Sequence, residues 1–294
     1  LPAALRSLAA QDYPPDRVRV VVVADHCSDD TAAVAAEHGA TVVTRAAPDR
    51  RGKGYALADG LEAVRGEAFD AVLVLDADCT LNRTALREVA RTLATGAEVV
   101  QTAVWSRNTD DGPAGFVAAV GAAVDAAVAA GRERLGLRGQ LRGTGMVFRT
   151  TVLDRVRWAT VSPVEDAEYD RELRTAGVCV RYCPGAEVTA SAPRRLADLV
   201  RQRHRWAAAG PGGSKPLGLM LVALAAAACL ASGQFLIWAG VLLAGTAALY
   251  LLAAASLGIT RRRVGLFVAA PAVVAVAGWL KPDRGWFPSE ARPA

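Results

Sequence analysis

From Leu217 to Ile259 the chain carries no Asp, Glu, Lys, Arg or His. That run of 43 residues is about twice the roughly 20 that an apolar helix needs to cross a bilayer. As a single helix it would be about 65 Å long. It must therefore fold back, most easily at Ser232-Gly233-Gln234. Arg261-Arg262-Arg263 then stops a second span, and Val264 to Leu280, with Pro271 inside it, makes a third and shorter one. Any globular domain has to be built from the residues that come before.

The charge distribution follows the same division. The chain has 34 Lys and Arg against 29 Asp and Glu. Six of the basic residues fall in 194–215 and six in 260–294, together with only three acids, which leaves residues 1–193 with 22 basic and 26 acidic side chains. Positive charge thus flanks the apolar run, as for a domain resting on anionic lipid headgroups. Nucleic acid, the other common partner of a basic chain, is disfavoured by a basic belt beside membrane spans. Arg194 to Trp206 has apolar residues at Leu196, Leu199, Val200 and Trp206 with arginines between them, a basic amphipathic helix suited to the interface plane. Gly210-Pro211-Gly212-Gly213 is a linker. Five cysteines at scattered positions suggest neither a disulfide framework nor a zinc site, and no signal peptide opens the chain.

Within the globular part, Val72-Leu73-Val74-Leu75-Asp76-Ala77-Asp78 stands out. Four apolar residues read as a strand buried on both faces. Ligands of open α/β sheets collect at the carboxyl ends of such strands. Asp76 and Asp78, two positions apart at that end, suit a hard divalent cation with oxygen ligands, and the cation would in turn hold a diphosphate.

In chain order, Leu1 to Ala10 reads as a helix and Val18 to Ala24 as a strand that delivers Asp25 to the cleft. Asp29, Asp30 and Thr31 can cap the following helix, Ala32 to His38. Ala40 to Arg45 is the next strand. Arg50-Arg51-Gly52-Lys53-Gly54 reads as a flexible basic loop from which Lys53 could reach a phosphate. Helices are expected over Tyr55 to Val64, over Leu81 to Leu93 with Asn82 or Thr80 as cap, and over 113 to 137. Strands are expected over Val99 to Trp105 and Val178 to Tyr182. Arg142-Gly143-Thr144-Gly145 is a glycine turn feeding a short strand, and Glu165, Asp166, Glu168 and Asp170 gather at the start of a helix through Leu173.

The order of these motifs resembles the family 2 inverting glycosyltransferases with a GT-A fold, in their membrane-attached, synthase-like branch. The markers are Asp25 and Asp29, Asp76-Ala77-Asp78, Gly143-Thr144-Gly145, Glu165-Asp166 and Gln202-Arg203-His204-Arg205-Trp206. The resemblance covers residues 1 to about 210. It implies a Rossmann-like mixed sheet of the nucleotide-diphospho-sugar transferase kind over 1–193, lacking the family's first strand. An interface helix and linker over 194–215, about three transmembrane helices over 216–281 and a tail over 282–294 would follow.

The implied protein is a multi-pass cell-membrane enzyme with a cytoplasmic catalytic domain. It would move a sugar from a nucleotide donor, a UDP-sugar, to a lipid or glycan acceptor with inversion. Asp25, Asp29, Lys53, Asp76, Gln202, Arg205 and Trp206 would bind the donor. Gly143, Thr144 and Gly145 would face the acceptor, and Asp76 and Asp78 would hold Mg²⁺ or Mn²⁺. Asp166, beside Glu165, would take the proton of the acceptor hydroxyl. A sugar-phosphate nucleotidyltransferase is a second reading, and a membrane-anchored binding domain without catalysis a third. The nucleotidyltransferase would not need Gln202, Arg205 and Trp206 or three spans, and the intact acids speak against a binding domain.

Overall fold

The computed structural model describes residues 1–208 apart from Asn108, Asp110 and Pro163, with side chains as far as Gln202. The expected spans after residue 215 lie outside the described residues. Helix α1 (Pro2–Ala9) opens on a proline, tolerated there because a first-turn N–H has no helical partner. It buries Ala4 and Leu5. Strand β1 (Val21–Asp25), helix α2 (Thr31–Glu37) and strand β2 (Thr41–Arg45) follow. β1 and β2 pair in parallel, from Val21 opposite Thr41 to Asp25 opposite Arg45, as a separate two-stranded sheet.

Helix α3 (Lys53–Ala63) then leads to β3 (Ala71–Val74), β4 (Thr80–Leu81), α4 (Ala85–Ala94), β5 (Val99–Ser106) and α5 (Pro113–Arg134). The remaining elements are β6 (Met146–Arg149), α6 (Thr150–Arg155), α7 (Glu165–Thr175), β7 (Val180–Ala190) and α8 (Leu196–Ala208). The second sheet has the order β3-β6-β5-β7-β4 and is mixed. β5 and β7 are parallel, and the β3–β6, β5–β6 and β4–β7 pairs are antiparallel. β3 and β5 therefore run the same way and end at the same edge.

Alternation along the strands divides the core between the two faces of this sheet. Met146 and Phe148 of β6 join Val99, Trp158, Tyr169 and Leu173 on one face, while Val147 joins Val89, Leu93, Val100 and Val188 on the other, under α4. Phe148, Trp158 and Tyr169 make an aromatic centre, with ring centroids 5.5 Å apart for Phe148–Tyr169 and 4.5 Å for Trp158–Tyr169. Leu57, Ala58 and Leu61 of α3 pack on this cluster while α3 also rests on β1, so one helix joins the two sheets.

Several expectations are corrected. β3 is an edge strand, hydrogen-bonded only to β6 among the described strands, and of its residues only Val74 is fully buried. An apolar run specifies a strand but not how many neighbours it finds. The helix expected from Leu81 starts at Ala85, because Thr80 and Leu81 pair with β7. Neither expected cap serves it: Asn82 instead donates to Gly185 O at 3.1 Å and accepts from Glu187 N at 3.0 Å. Asp30 occupies the N-cap position of α2 without a side-chain bond, and Asp29 Oδ1 accepts from Thr31 N at 3.1 Å. Lys53 and Gly54 belong to the first turn of α3 rather than to a loop. The late strand runs on to Ala190, and a register shift opposite Thr102 and Ala103 accommodates its bend. Among the described residues α5 is the one helix long and apolar enough to cross a membrane, yet its first half is buried against β5 and β7, as in a core helix.

Candidate active site

Four segments far apart in sequence meet where β3 ends. After Val74 the chain turns through Asp76-Ala77-Asp78-Cys79. Asp76 N–H donates to Thr144 Oγ1 at 3.1 Å and Gly145 N–H donates to Val74 O at 2.9 Å, so the glycine turn is fastened to the acidic one. Gly143 and Gly145 have φ of +74° and +65°, the left-handed region that glycine enters without cost. A Cβ on Gly145 would stand 1.9 Å from Thr102 Oγ1, and one on Gly143 would stand 3.4 Å from Asp166 Oδ2. Buried Gln101 supports the turn from below, donating to Thr144 O at 2.9 Å and accepting from Arg142 N at 2.9 Å.

The third segment is the first turn of α7. Tyr169 seats the helix in the aromatic centre and donates to Val156 O at 2.5 Å. Glu165 is 6% exposed, and Asp166 Oδ1 accepts from Ala167 N at 2.8 Å. The fourth is the start of α3, held by Trp158 Nε1 donating to Gly54 O at 3.1 Å. There Lys53 Nζ lies 2.6 Å from Asp76 Oδ1 and 3.5 Å from Glu165 Oε1, and donates to Gly143 O at 2.5 Å. One ammonium therefore touches the acidic turn, the glycine turn and α7.

The electrostatics follow from this crowding. Burial raises the pKa of the Glu165 and Asp166 carboxyls, and the Lys53 ammonium opposes the rise in both. Burial works against the Lys53 ammonium itself, but Asp76 and Glu165 outweigh it and raise its pKa. Potential ligand atoms of Asp76, Asp78 and Cys79 lie within 4.8 Å of one another. Burial, with Asp78 and Asp76 adding to it, pushes the Cys79 thiol up to about 12, so it keeps its proton at neutral pH. Asp76 and Asp78 offer carboxylate oxygens, a donor pair that fits a hard cation such as Mg²⁺ or Mn²⁺.

Asp76, Asp78, Lys53, Gly143, Thr144, Gly145, Glu165 and Asp166 are thus brought together. Asp25 and Asp29 are not among them: Asp25 is the last residue of β1, and Asp29 lies in the turn before α2. Asp25 Oδ1 pairs with Arg45 Nη1 and lies 2.8 Å from His26 Nδ1. Asp29 is exposed, and its bonds to Thr31 lower its pKa. Gln202 is half-buried on α8, which packs on α5. The side chains of Arg205 and Trp206 lie outside the described residues. Arg45 and His26, which hold Asp25, carry no motif of their own in the sequence. The available signal was a basic residue ending an apolar strand, as Asp25 ends the one before.

Residues 1–209 match the family model for glycosyltransferase-like family 2. The chain belongs to this family. Its helix-flanked mixed sheet is of the GT-A type. It is similar to a beta-monoglucosyldiacylglycerol synthase of Synechocystis sp., with 29% identity over 215 residues, 70% of this chain and 44% of that protein. A low-salt glycan biosynthesis hexosyltransferase, Agl6, of Haloferax volcanii is 48% identical over 60 residues, 20% of this chain and 13% of that protein. The chain spans less than half the length of these curated relatives. A glucosyl-3-phosphoglycerate synthase from Mycobacterium tuberculosis, solved with Mn²⁺ and UDP-glucose, superposes with a TM-score of 0.46 and 22% identity over 70% of this chain and 73% of that one.

Proposed function

We propose that this chain is an inverting glycosyltransferase that moves a sugar from a UDP-sugar to a hydroxyl of a lipid or glycan at the cytoplasmic face of the membrane. The observation that carries the reading is the meeting of Lys53, Asp76 and Glu165-Asp166 at the end of β3, with Lys53 Nζ 2.6 Å and 3.5 Å from carboxylates of two different segments. Family membership supports the transferase chemistry. A relative named a beta-monoglucosyldiacylglycerol synthase supports a lipid acceptor.

In this reading Asp166 accepts the proton of the acceptor hydroxyl as that oxygen attacks the anomeric carbon. The new C–O bond forms on the face opposite the breaking bond to the diphosphate, so configuration inverts in one displacement. The raised pKa of Asp166 makes it a better base than an ordinary aspartate. Glu165, inside the helix start, keeps Lys53 turned toward the cleft. Asp76 and Asp78 would hold the divalent cation, which when bound neutralises charge developing on the leaving diphosphate. Lys53 stands where a diphosphate arriving at Asp76 meets an ammonium. Arg205 and Trp206 would complete the donor side from α8, and Gly143-Thr144-Gly145 the acceptor side.

The test is the small product formed when full-length protein, in detergent with Mg²⁺ or Mn²⁺, is given several UDP-sugars and a diacylglycerol or glycan acceptor. Release of UDP is expected. Release of pyrophosphate from a nucleoside triphosphate and a sugar phosphate would mark a nucleotidyltransferase, and ligand binding without turnover a non-catalytic domain.

A further inference from the structure

Arg45 ends β2, and its side chain is only 3% exposed. A buried guanidinium is costly unless its donors are satisfied. Here each arm is taken. Nε donates to Asp59 Oδ2 of α3 at 2.6 Å, Nη2 donates to Arg50 O at 2.8 Å, and Nη1 donates to Asp25 Oδ1. Arg50 closes the group through Nη2 to Asp59 Oδ1 at 2.9 Å. Fastening β2 to α3 requires only the bond to Asp59. The other two arms reach the end of β1 and the segment that runs into Lys53.

The geometry around Asp25 is one-sided. Arg45 Nη1 and His26 Nδ1 both meet Oδ1, and His26 N–H donates to Arg45 O at 2.8 Å, which ties the turn after β1 to the same residue. Among the described residues Oδ2 has no side-chain partner. A carboxylate held at one oxygen by two neighbouring donors keeps its other oxygen to offer a ligand's N–H.

We propose that Arg45 is a positioning residue for the donor. It fixes Asp25 so that Oδ2 accepts an N–H of the nucleobase, and it holds the segment from Arg50 so that α3 begins with Lys53 among the acids. The inference rests on the reading of the chain as a nucleotide-sugar transferase, in which Asp25 contacts the donor. Arg45 touches no substrate and acts through Asp25 and Lys53.

The experiment is titration of the full chain with UDP in Mg²⁺ for wild type, Asp25→Ala, Arg45→Gln, Arg45→Lys and the Asp25→Ala/Arg45→Gln double variant, with Tm recorded for each. Asp25→Ala is expected to weaken UDP binding about tenfold, the scale of one charge-assisted hydrogen bond. Arg45→Gln should lose at least as much per folded molecule, and the double variant little more than Arg45→Gln alone, because the Asp25 contact is already lost when Arg45 is replaced. Arg45→Lys should not rescue binding, since the donors of a compact ammonium leave one atom and cannot reach acceptors spread around a planar guanidinium. If both Arg45 variants bind UDP within about twofold of wild type while Tm falls, or if the losses simply multiply in the double variant, Arg45 only fastens the fold. The inference is then overturned, and the donor role of Asp25 stands. Unchanged affinity in Asp25→Ala would remove Asp25 from the donor site and the inference with it. Failure of the wild type to bind UDP would contradict the nucleotide-sugar reading and the inference together.

Discussion

Asp166 and Lys53 carry the sharpest expectations. Asp166→Asn keeps the shape of the side chain but cannot accept a proton. Transfer should fall by about 10²-fold or more while donor affinity is retained. Loss of donor binding with an intact rate at saturation would move the base elsewhere. The pH profile is a second check. Asp166 must be ionised to act, so kcat/KM is lost as pH falls through its pKa. Burial places that acid limb above the ordinary aspartate value of about 3.9. The Lys53 ammonium opposes the upward shift in both Glu165 and Asp166. Lys53→Met should therefore move the limb to higher pH. A limb that stays put or moves down would show that Lys53 does not act on the base electrostatically.

At the level of elements, the glycine turn is the part of the site least tolerant of change. A methyl on Gly145 would meet Thr102 Oγ1 at 1.9 Å, and its backbone is left-handed. Gly145→Ala should cost about 3 kcal/mol from overpacking and backbone strain, a fall of roughly 10 °C in Tm for a domain of this size. An unchanged melting curve would mean that β5 and the turn are less tightly coupled than their hydrogen bonds indicate. The sequence made the strands of this region legible. The runs at Val99 and Val178 locate β5 and the start of β7, because β-branched residues bounded by turn residues are a local signal. The acids of the site were legible for a similar reason, since Asp76 and Glu165 each sit at the end or start of an element. Pairing was not legible. Nothing local in Ala71–Val74 says that it will be an edge, or that Thr80 and Leu81 will choose β7 over the helix. The glycine-flanked basic segment points Lys53 toward a phosphate, but its bonds to Asp76 and Gly143 depend on contacts across more than twenty residues. Arg45 is not legible in the sequence, because its meaning lies in the parallel register that sets it beside Asp25.

For the whole molecule, the described domain ends in α8, and the charge-free run from Leu217 to Ile259 follows in sequence. Two crossings in that run would return Arg261-Arg262-Arg263 to the side of the catalytic domain, and three arginines in a short loop favour the cytoplasm. A cysteine placed at position 262 should resist an impermeant label added to intact cells. Strong labelling would put the site on the other side. The divalent cation is tested by removal: excess EDTA should stop turnover and added Mg²⁺ or Mn²⁺ restore it, whereas full turnover in EDTA would leave Asp76 and Asp78 with another role. The most direct measurement is the anomeric configuration of the first product, read by proton NMR during transfer from an α-linked UDP-sugar. A single displacement with Asp166 as base yields a β-linked product. An α-linked product would contradict that mechanism, because retention requires a second displacement or attack from the leaving-group face.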